Sequence, residues 1–412
     1  MFSKLALQSL LDRKGSVALA VLAMSVSIFI FLGVEHIRHQ AKESFSRSVS
    51  GVDLIVGART SRINLLMYSV FRIGSPTNNI HWDTYQSIAD NSHVKWTIPI
   101  SLGDSHKGYR VLGTSEDYFE YFSYGRQQPL VFSSGRKFEN IFDVVLGSEV
   151  AEKLGYQIGD ELILAHGIAA TSFSLHKNRP FSVVGIMAAT GTPVDQTLHV
   201  SLQAIEAIHS NWQQDTKTSG SDTLKAARED ITLQPKSITA IMLGLKSKVT
   251  TFRIHRAINN YADEPLMAIL PGVALSELWQ MMSLLENILL LVSTLVFIAA
   301  CLGVCAMLLS SIRERNGEIQ LLRVIGAPPY FLFFLIQLEA LLITVLSCII
   351  GGVFLALCLL LFRDYLVSNY GLYIEIKLLS QSSFYVFLTL ISASLLIAVI
   401  PSMGGYRQAK VN

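Results

Sequence analysis

Histidine and carboxylate side chains gather in the middle of the chain in the types that hold a zinc ion. His166, His176, His199 and His209 lie in one segment, with Asp195 beside them and Asp104 upstream. Zinc takes imidazole and carboxylate ligands. None of these residues shows the short H-x-x-x-H spacing that places two ligands on one helix face, so only the fold can bring them together. The competing reading is a set of surface histidines with local hydrogen bonds. Other chemistry finds less support. No G-x-S-x-G elbow frames a nucleophilic serine. The piece nearest to a phosphate loop, GLKSKVTT (Gly244–Thr251), lacks the second glycine and the spacing. With a formal net charge of +2 and no strongly basic face, nothing argues for nucleic acid.

A second constellation is SIRERNGEIQLLRVIGAPPY (Ser311–Tyr330), a charged stretch between two strongly apolar runs. Its pattern is helix-compatible: Glu314 and Glu318 share a face, as do Ile319 and Leu322. Gly326 before Pro328 and Pro329 gives a stop and a turn. Such a helix is too short to cross a bilayer and belongs at its cytoplasmic surface. From composition alone it also reads as a solvated loop whose arginines hold orientation. Just beyond it, Glu339 falls roughly seven to ten residues into an apolar run, where a charge is costly and must face protein or a wet edge.

The elements that must position these residues are membrane spans. Charged residues make up 16% of the 412, against about 25% in a soluble protein, and mean hydropathy is +0.43. Four runs reach the roughly 20 apolar residues that a spanning helix needs: Gly15–Val34, Met281–Ser310, Pro328–Phe362 and Ser383–Ile400. The first is too long for a signal-peptide core and lacks a clean cleavage site, so it is expected to be a retained anchor. Arg13–Lys14, Arg313–Arg315–Arg323 and Arg407–Lys410 flank span ends on one side. The positive-inside rule then puts both termini and 311–327 in the cytoplasm and the long region 35–280 outside. Cys301, Cys305, Cys348 and Cys358 all lie in the spans, which leaves the external region without disulfides.

That external region is expected to be α+β. IFDVVLGSEVAEKLGYQIGDELILAHG (Ile141–Gly167) reads as strand, helix over Ser148–Leu154, glycine turn and strand. RPFSVVGIMAAT (Arg179–Thr190) and SITAIMLGL (Ser237–Leu245) are β-rich, and Val200–Trp212 has helical spacing. The fold class is thus a multi-span α-helical membrane protein, four transmembrane helices with a large α+β domain between spans 1 and 2. Its expected parts are an amphipathic helix 1–14, span 15–34, external domain 35–280, span 281–310, charged helix 311–327, span 328–362, loop 363–382, span 383–400 and tail 401–412.

ERNGEIQLLRVIGAPPYFLFFLIQLEALLI (Glu314–Ile343) resembles the permease signature of the FtsX, MacB and LolC group of ABC transporters. The matching positions are Glu314, Arg315, Glu318, Ile319, Leu322, Arg323, Gly326, Ala327 and Glu339. LGSEVAEKLGYQIGDELIL with FSVVGIM is similar to the external core domain of that group, and SKLALQSLLDRKG to its leading amphipathic helix. The resemblance implies a bacterial inner-membrane permease with a periplasmic domain and no enzymatic activity of its own. Its charged stretch would be a coupling helix docked on a separate cytoplasmic ATPase dimer, which binds the ATP, and Glu339 an intramembrane relay. A second copy, or a homologous permease, would complete the assembly, so that ATP-driven closure is relayed outward. Segments such as GVDLIVGARTSRINLL and TGTPVDQTLHV resemble a subgroup linked to metal-ion systems. The cargo readings are zinc or another metal ion with a periplasmic carrier, lipoprotein release, and peptide or drug export. A signalling scaffold that regulates a periplasmic hydrolase is the reading from another class.

Overall fold

The computed structural model describes Gln8 and residues 10–48, 50–166, 180–215, 234–314, 328–370 and 381–411. These residues fall into two compact units, one holding the spans and one holding 42–281.

In the membrane unit the helices Lys14–Arg47, Pro271–Glu314, Pro329–Tyr370 and Gln381–Val411 each carry a stretch long and apolar enough to span. Their outward faces carry Leu19, Leu284, Leu291, Ile349, Leu361 and Leu396, all exposed as lipid-facing residues must be. Their inward faces meet in a core of Val21, Val304, Leu308, Ile336, Ile343 and Ala398. The third span shows how the sequence sets this face. Leu332, Leu335, Ile336, Glu339, Ala340, Ile343, Thr344, Ser347, Cys348, Gly351, Leu355 and Leu359 are buried, recurring at three- and four-residue steps.

Among the described residues, the external unit is built on an 11-stranded mixed sheet. Its main path runs Leu266–Ile269, Leu54–Ala58, Ala240–Leu245, Val94–His106, Tyr109–Thr114, Thr197–Ser201, Asp143–Leu146, Phe181–Met187 and Phe132–Gly135. The central strands are apolar at successive positions because both of their faces are covered. Leu54 and Val56 enter one core with Ile241, Leu243, Ile254 and Ile258. Ile55 points the other way, with Ile98, Ile100, Met242 and Tyr118. A third core of Val144, Leu146, Val183, Leu198, Val200 and Ile205 fills the far half. The hairpin between Val94–His106 and Tyr109–Thr114 turns on Lys107 (φ 48°) and Gly108 (φ 90°), a two-residue turn that needs positive φ at both positions.

The segment from Asp143 folds as its pattern predicts. A strand Asp143–Leu146 leads to the helix Ser148–Leu154, which stops at Gly155 in the left-handed region (φ 70°). Val200 differs from expectation. It belongs to the strand Thr197–Ser201, and the helix Leu202–Asp215 starts after it. The strand wins because residues 198–200 pair with neighbours on both sides, while the Ser201 hydroxyl accepts from the Ala204 amide at 3.1 Å and opens the helix.

Candidate functional site

Glu339 sits on the buried seam of the third span with 4% of its surface exposed. It lies ten residues after Pro329, about 15 Å along a helix at 1.5 Å per residue. One and two turns further on, the seam turns polar. Thr344 Oγ1 is 2.6 Å from Ser394 Oγ on the fourth span and donates to its own Ala340 carbonyl at 2.9 Å. Ser347 Oγ reaches the Val21 carbonyl on the first span at 3.3 Å. Gln337 Nε2 donates to Leu395 O at 3.4 Å. Hydrogen-bonding side chains therefore line the interior of the bundle, where lipid cannot satisfy them.

The first and third spans approach closely at Gly351. A β-carbon there would stand 2.8 Å from the Ser25 carbonyl and 3.3 Å from the Phe29 amide. Because both neighbours are backbone, the helices themselves would have to part. Gly351→Val is expected to lower the stability of the membrane unit by about 1–3 kcal/mol, the usual cost of overpacking. A drop in the melting temperature of the purified chain checks this. At the other end of these helices, Arg38 pairs with Glu35 at 2.8 Å and with Glu286 of the second span at 3.7 Å.

Within the external unit, the last turn of the first long helix and the first turns of the second are held by aromatic and ionic contacts. Phe45 lies 4.6 Å from Phe71 and 5.8 Å from Trp279, ring centre to ring centre. Arg62 pairs with Glu277 at 2.8 Å. Both chain segments that link this unit to the spans are thus pinned to one helix, Arg62–Ser69, and the loop after it. The sequence signals these contacts only as scattered aromatic and charged residues, since the partners are up to 234 positions apart.

The coupling stretch is described only as far as the backbone of Glu314. Arg315, Glu318, Ile319, Leu322, Arg323, Gly326 and Ala327 lie outside the described residues. His176 also lies outside them, and His166 and His209 are described by backbone alone. His166 closes a two-residue strand that pairs with Ser105 and Asp104. His199 is fully buried, its ring 5.1 Å from that of Tyr118 and 6.1 Å from that of Phe119. Burial, aided by the positive charge of Arg72, pushes its pKa down to about 3, so the imidazole is neutral. Asp195 accepts from the Thr190 amide at 2.9 Å, the Thr190 hydroxyl at 2.9 Å and the Gly191 amide at 2.7 Å. Burial raises its pKa against the pull of those donors. Its carboxylate organises the 190–195 loop. Among the described residues, no group of three or more His, Cys, Asp or Glu side chains is placed to hold a metal ion.

Two family models match the chain. The MacB-like periplasmic core domain covers residues 17–261, and the FtsX-like permease C-terminal region covers 290–409. The lipoprotein-releasing system transmembrane protein LolE of Haemophilus influenzae is 23% identical over 257 residues, which is 61% of this chain and 55% of that protein. The chain thus matches about half the length of this relative. A crystal structure of the extracellular domain of the noncanonic ABC-type transporter YknZ from Gram-positive bacteria covers 53% of this chain and 98% of its own, at 11% identity and a TM-score of 0.30.

Proposed function

The chain belongs to the permease family that joins a MacB-like periplasmic core domain to an FtsX-like C-terminal region, and on that footing we propose that it is the membrane subunit through which ATP hydrolysis in a separate cytoplasmic ATPase moves a periplasmic domain. It is a multi-pass membrane protein with its large periplasmic domain between the first and second spans. The observation that carries the proposal is the order of parts: both family models fall in sequence on one span, a large domain and three further spans. The residues supply the machinery. Glu314, Arg315, Glu318 and Arg323 form the docking face for the ATPase, and Glu339 biases the packing of the bundle. The helix Pro271–Glu314 runs without interruption past Trp279 into the first residues of the charged stretch. Its stiffness suits it to carry displacement. A lipoprotein cargo is supported by the name of the Haemophilus relative.

Reconstitution with the partner ATPase tests this reading. Adding the chain in proteoliposomes is expected to raise ATP turnover about fivefold or more, a coupling of ordinary size. Arg323→Glu should abolish most of that rise by placing a like or unpaired charge in the docking face. Lipoprotein should alter the stimulated rate more than zinc or an amphiphilic drug does. An ATPase that neither binds the chain nor changes its turnover would sink the proposal.

A further inference from the structure

Arg72 is buried, with 9% of its surface exposed, in the loop that follows the helix Arg62–Ser69. Its backbone lies in the left-handed region (φ 60°), which is strained for a residue with a β-carbon. From the strand Tyr109–Thr114, Arg110 donates through Nη2 to the Gly74 carbonyl of the same loop at 2.7 Å. Two guanidinium groups from distant parts of the chain thus converge on residues 69–74. A buried cation needs a counter-charge. Among the described residues, neither Arg72 nor Arg110 makes an ion pair. Arg72 donates instead to the Ser69 carbonyl at the end of its helix. A helix C-terminus offers only about half a negative charge, so the two cations stay largely uncompensated.

The groups around Arg72 are donors with few bonds of their own. Tyr118 is fully buried, and its hydroxyl is close enough to Arg72 for each to shift the other's ionisation. His199 lies beside Tyr118, and among the described residues neither of its ring nitrogens has a hydrogen-bond partner. Buried polar atoms in that condition are few in a folded protein, and each calls for a reason. The carboxylate that acts on Tyr118 is Asp195, already taken up by Thr190 and Gly191. Burial holds the Arg72 pKa below the usual guanidinium value, and burial followed by the charge of Arg72 does the same to Arg110. An anion between them would relieve both.

We propose that Arg72 and Arg110 bind an oxyanion, the carboxylate or phosphate group of a small ligand, with Tyr118 and His199 as neutral donors behind them. Paired guanidinium groups suit such a group because its oxygens accept several charge-assisted hydrogen bonds at once. Ile73, Gly74 and Ser75 are exposed, which leaves that side of the loop open to solvent. The depth of Arg72 restricts the ligand to one whose charged group is terminal. Phe71, next to Arg72, meets Phe45 ring to ring, so occupancy bears on a contact that holds the first long helix. The site stands on its own residues and does not depend on the coupling reading.

The test titrates the full chain, in nanodiscs of phosphatidylcholine, with inorganic phosphate, acetate or chloride at matched ionic strength. It is run at about pH 7.5, where a phosphate group carries close to two charges. Calorimetry should show saturable binding of phosphate or acetate but not of chloride, and the tighter of the two identifies the source of the anion. Arg110→Gln should weaken that binding about tenfold or more, the cost of losing a hydrogen bond to a charged group. Arg72→Met should abolish it. Tryptophan-monitored unfolding in chloride checks that both variants are folded. Equal responses to all three anions, the mark of simple screening, overturn the proposal. So does binding that survives Arg110→Gln at full strength, whatever the fate of the Arg72 variant.

Discussion

Changing Glu339 to glutamine is expected to leave the assembled permease intact and to cut its stimulation of the ATPase by about tenfold or more, as loss of a coupling of a few kcal/mol requires. Glutamine keeps the length and volume of glutamate, so the seam formed by Ile336, Ala340 and Ile343 stays filled. What disappears is an ionisable group at a depth where its cost keeps such residues rare unless they serve a purpose. On the proposed reading, this carboxyl favours whichever arrangement of the spans best satisfies it, and so biases the bundle between states. Glu339→Leu is the companion variant. An apolar replacement of a buried ionic group is often neutral for stability, so it too should assemble and fail to couple. Complex yield after affinity purification and ATP turnover in proteoliposomes are the two readouts. Full stimulation with either variant would reduce Glu339 to a packing role.

Mild acid is expected to destabilise the external unit through His199. Its folded-state pKa of about 3 lies below the unfolded value of 6.5. The unfolded chain therefore takes up the proton first as pH falls, and this pulls the equilibrium toward unfolding. Stability is fully present above about pH 6.5 and is lost progressively from there toward pH 3. At pH 5 the loss is about 2 kcal/mol, from roughly 1.5 pH units at 1.36 kcal/mol each. All four tryptophans lie in the external unit, at 82, 96, 212 and 279. Denaturant titration of the full chain followed by tryptophan fluorescence thus reads this unit alone. His199→Leu should remove about one proton from the pH dependence of stability between pH 5 and 6.5. An unchanged slope in that variant would mean that other groups govern the acid response.

The spans and the external α+β domain were legible because they depend on local signals. Four apolar runs of spanning length can do little else, and the strand–helix–glycine order of 143–155 is set by residues close in sequence. The helix starting at Leu202 was misplaced by two residues because its spacing continues back into Val200. Only pairing with strands 109–114 and 143–146 makes that residue extended. The family's charged signature and Glu339 were likewise readable as a run. Their arrangement was less so. That Glu339 faces the bundle follows from the three-and-four spacing of Ile336, Ala340 and Ile343, but Thr344 meeting Ser394 across 50 positions does not.

The histidines mark the same boundary from the other side. Their types and nearness in sequence raised a metal reading, yet ligation is a matter of distances among groups from different strands. The fold set His199 among aromatic rings and bound Asp195 into its own loop. Sequence by itself determined that this chain spans a membrane, carries an external domain and bears the charged signature of a permease, because hydropathy and short motifs are properties of contiguous residues. The tertiary structure alone decided that Phe45, Phe71 and Trp279 meet and that Leu54 pairs with Leu243. Those placements rest on strand register across nearly two hundred residues. No local propensity encodes that register; it is settled by which apolar faces can be buried together.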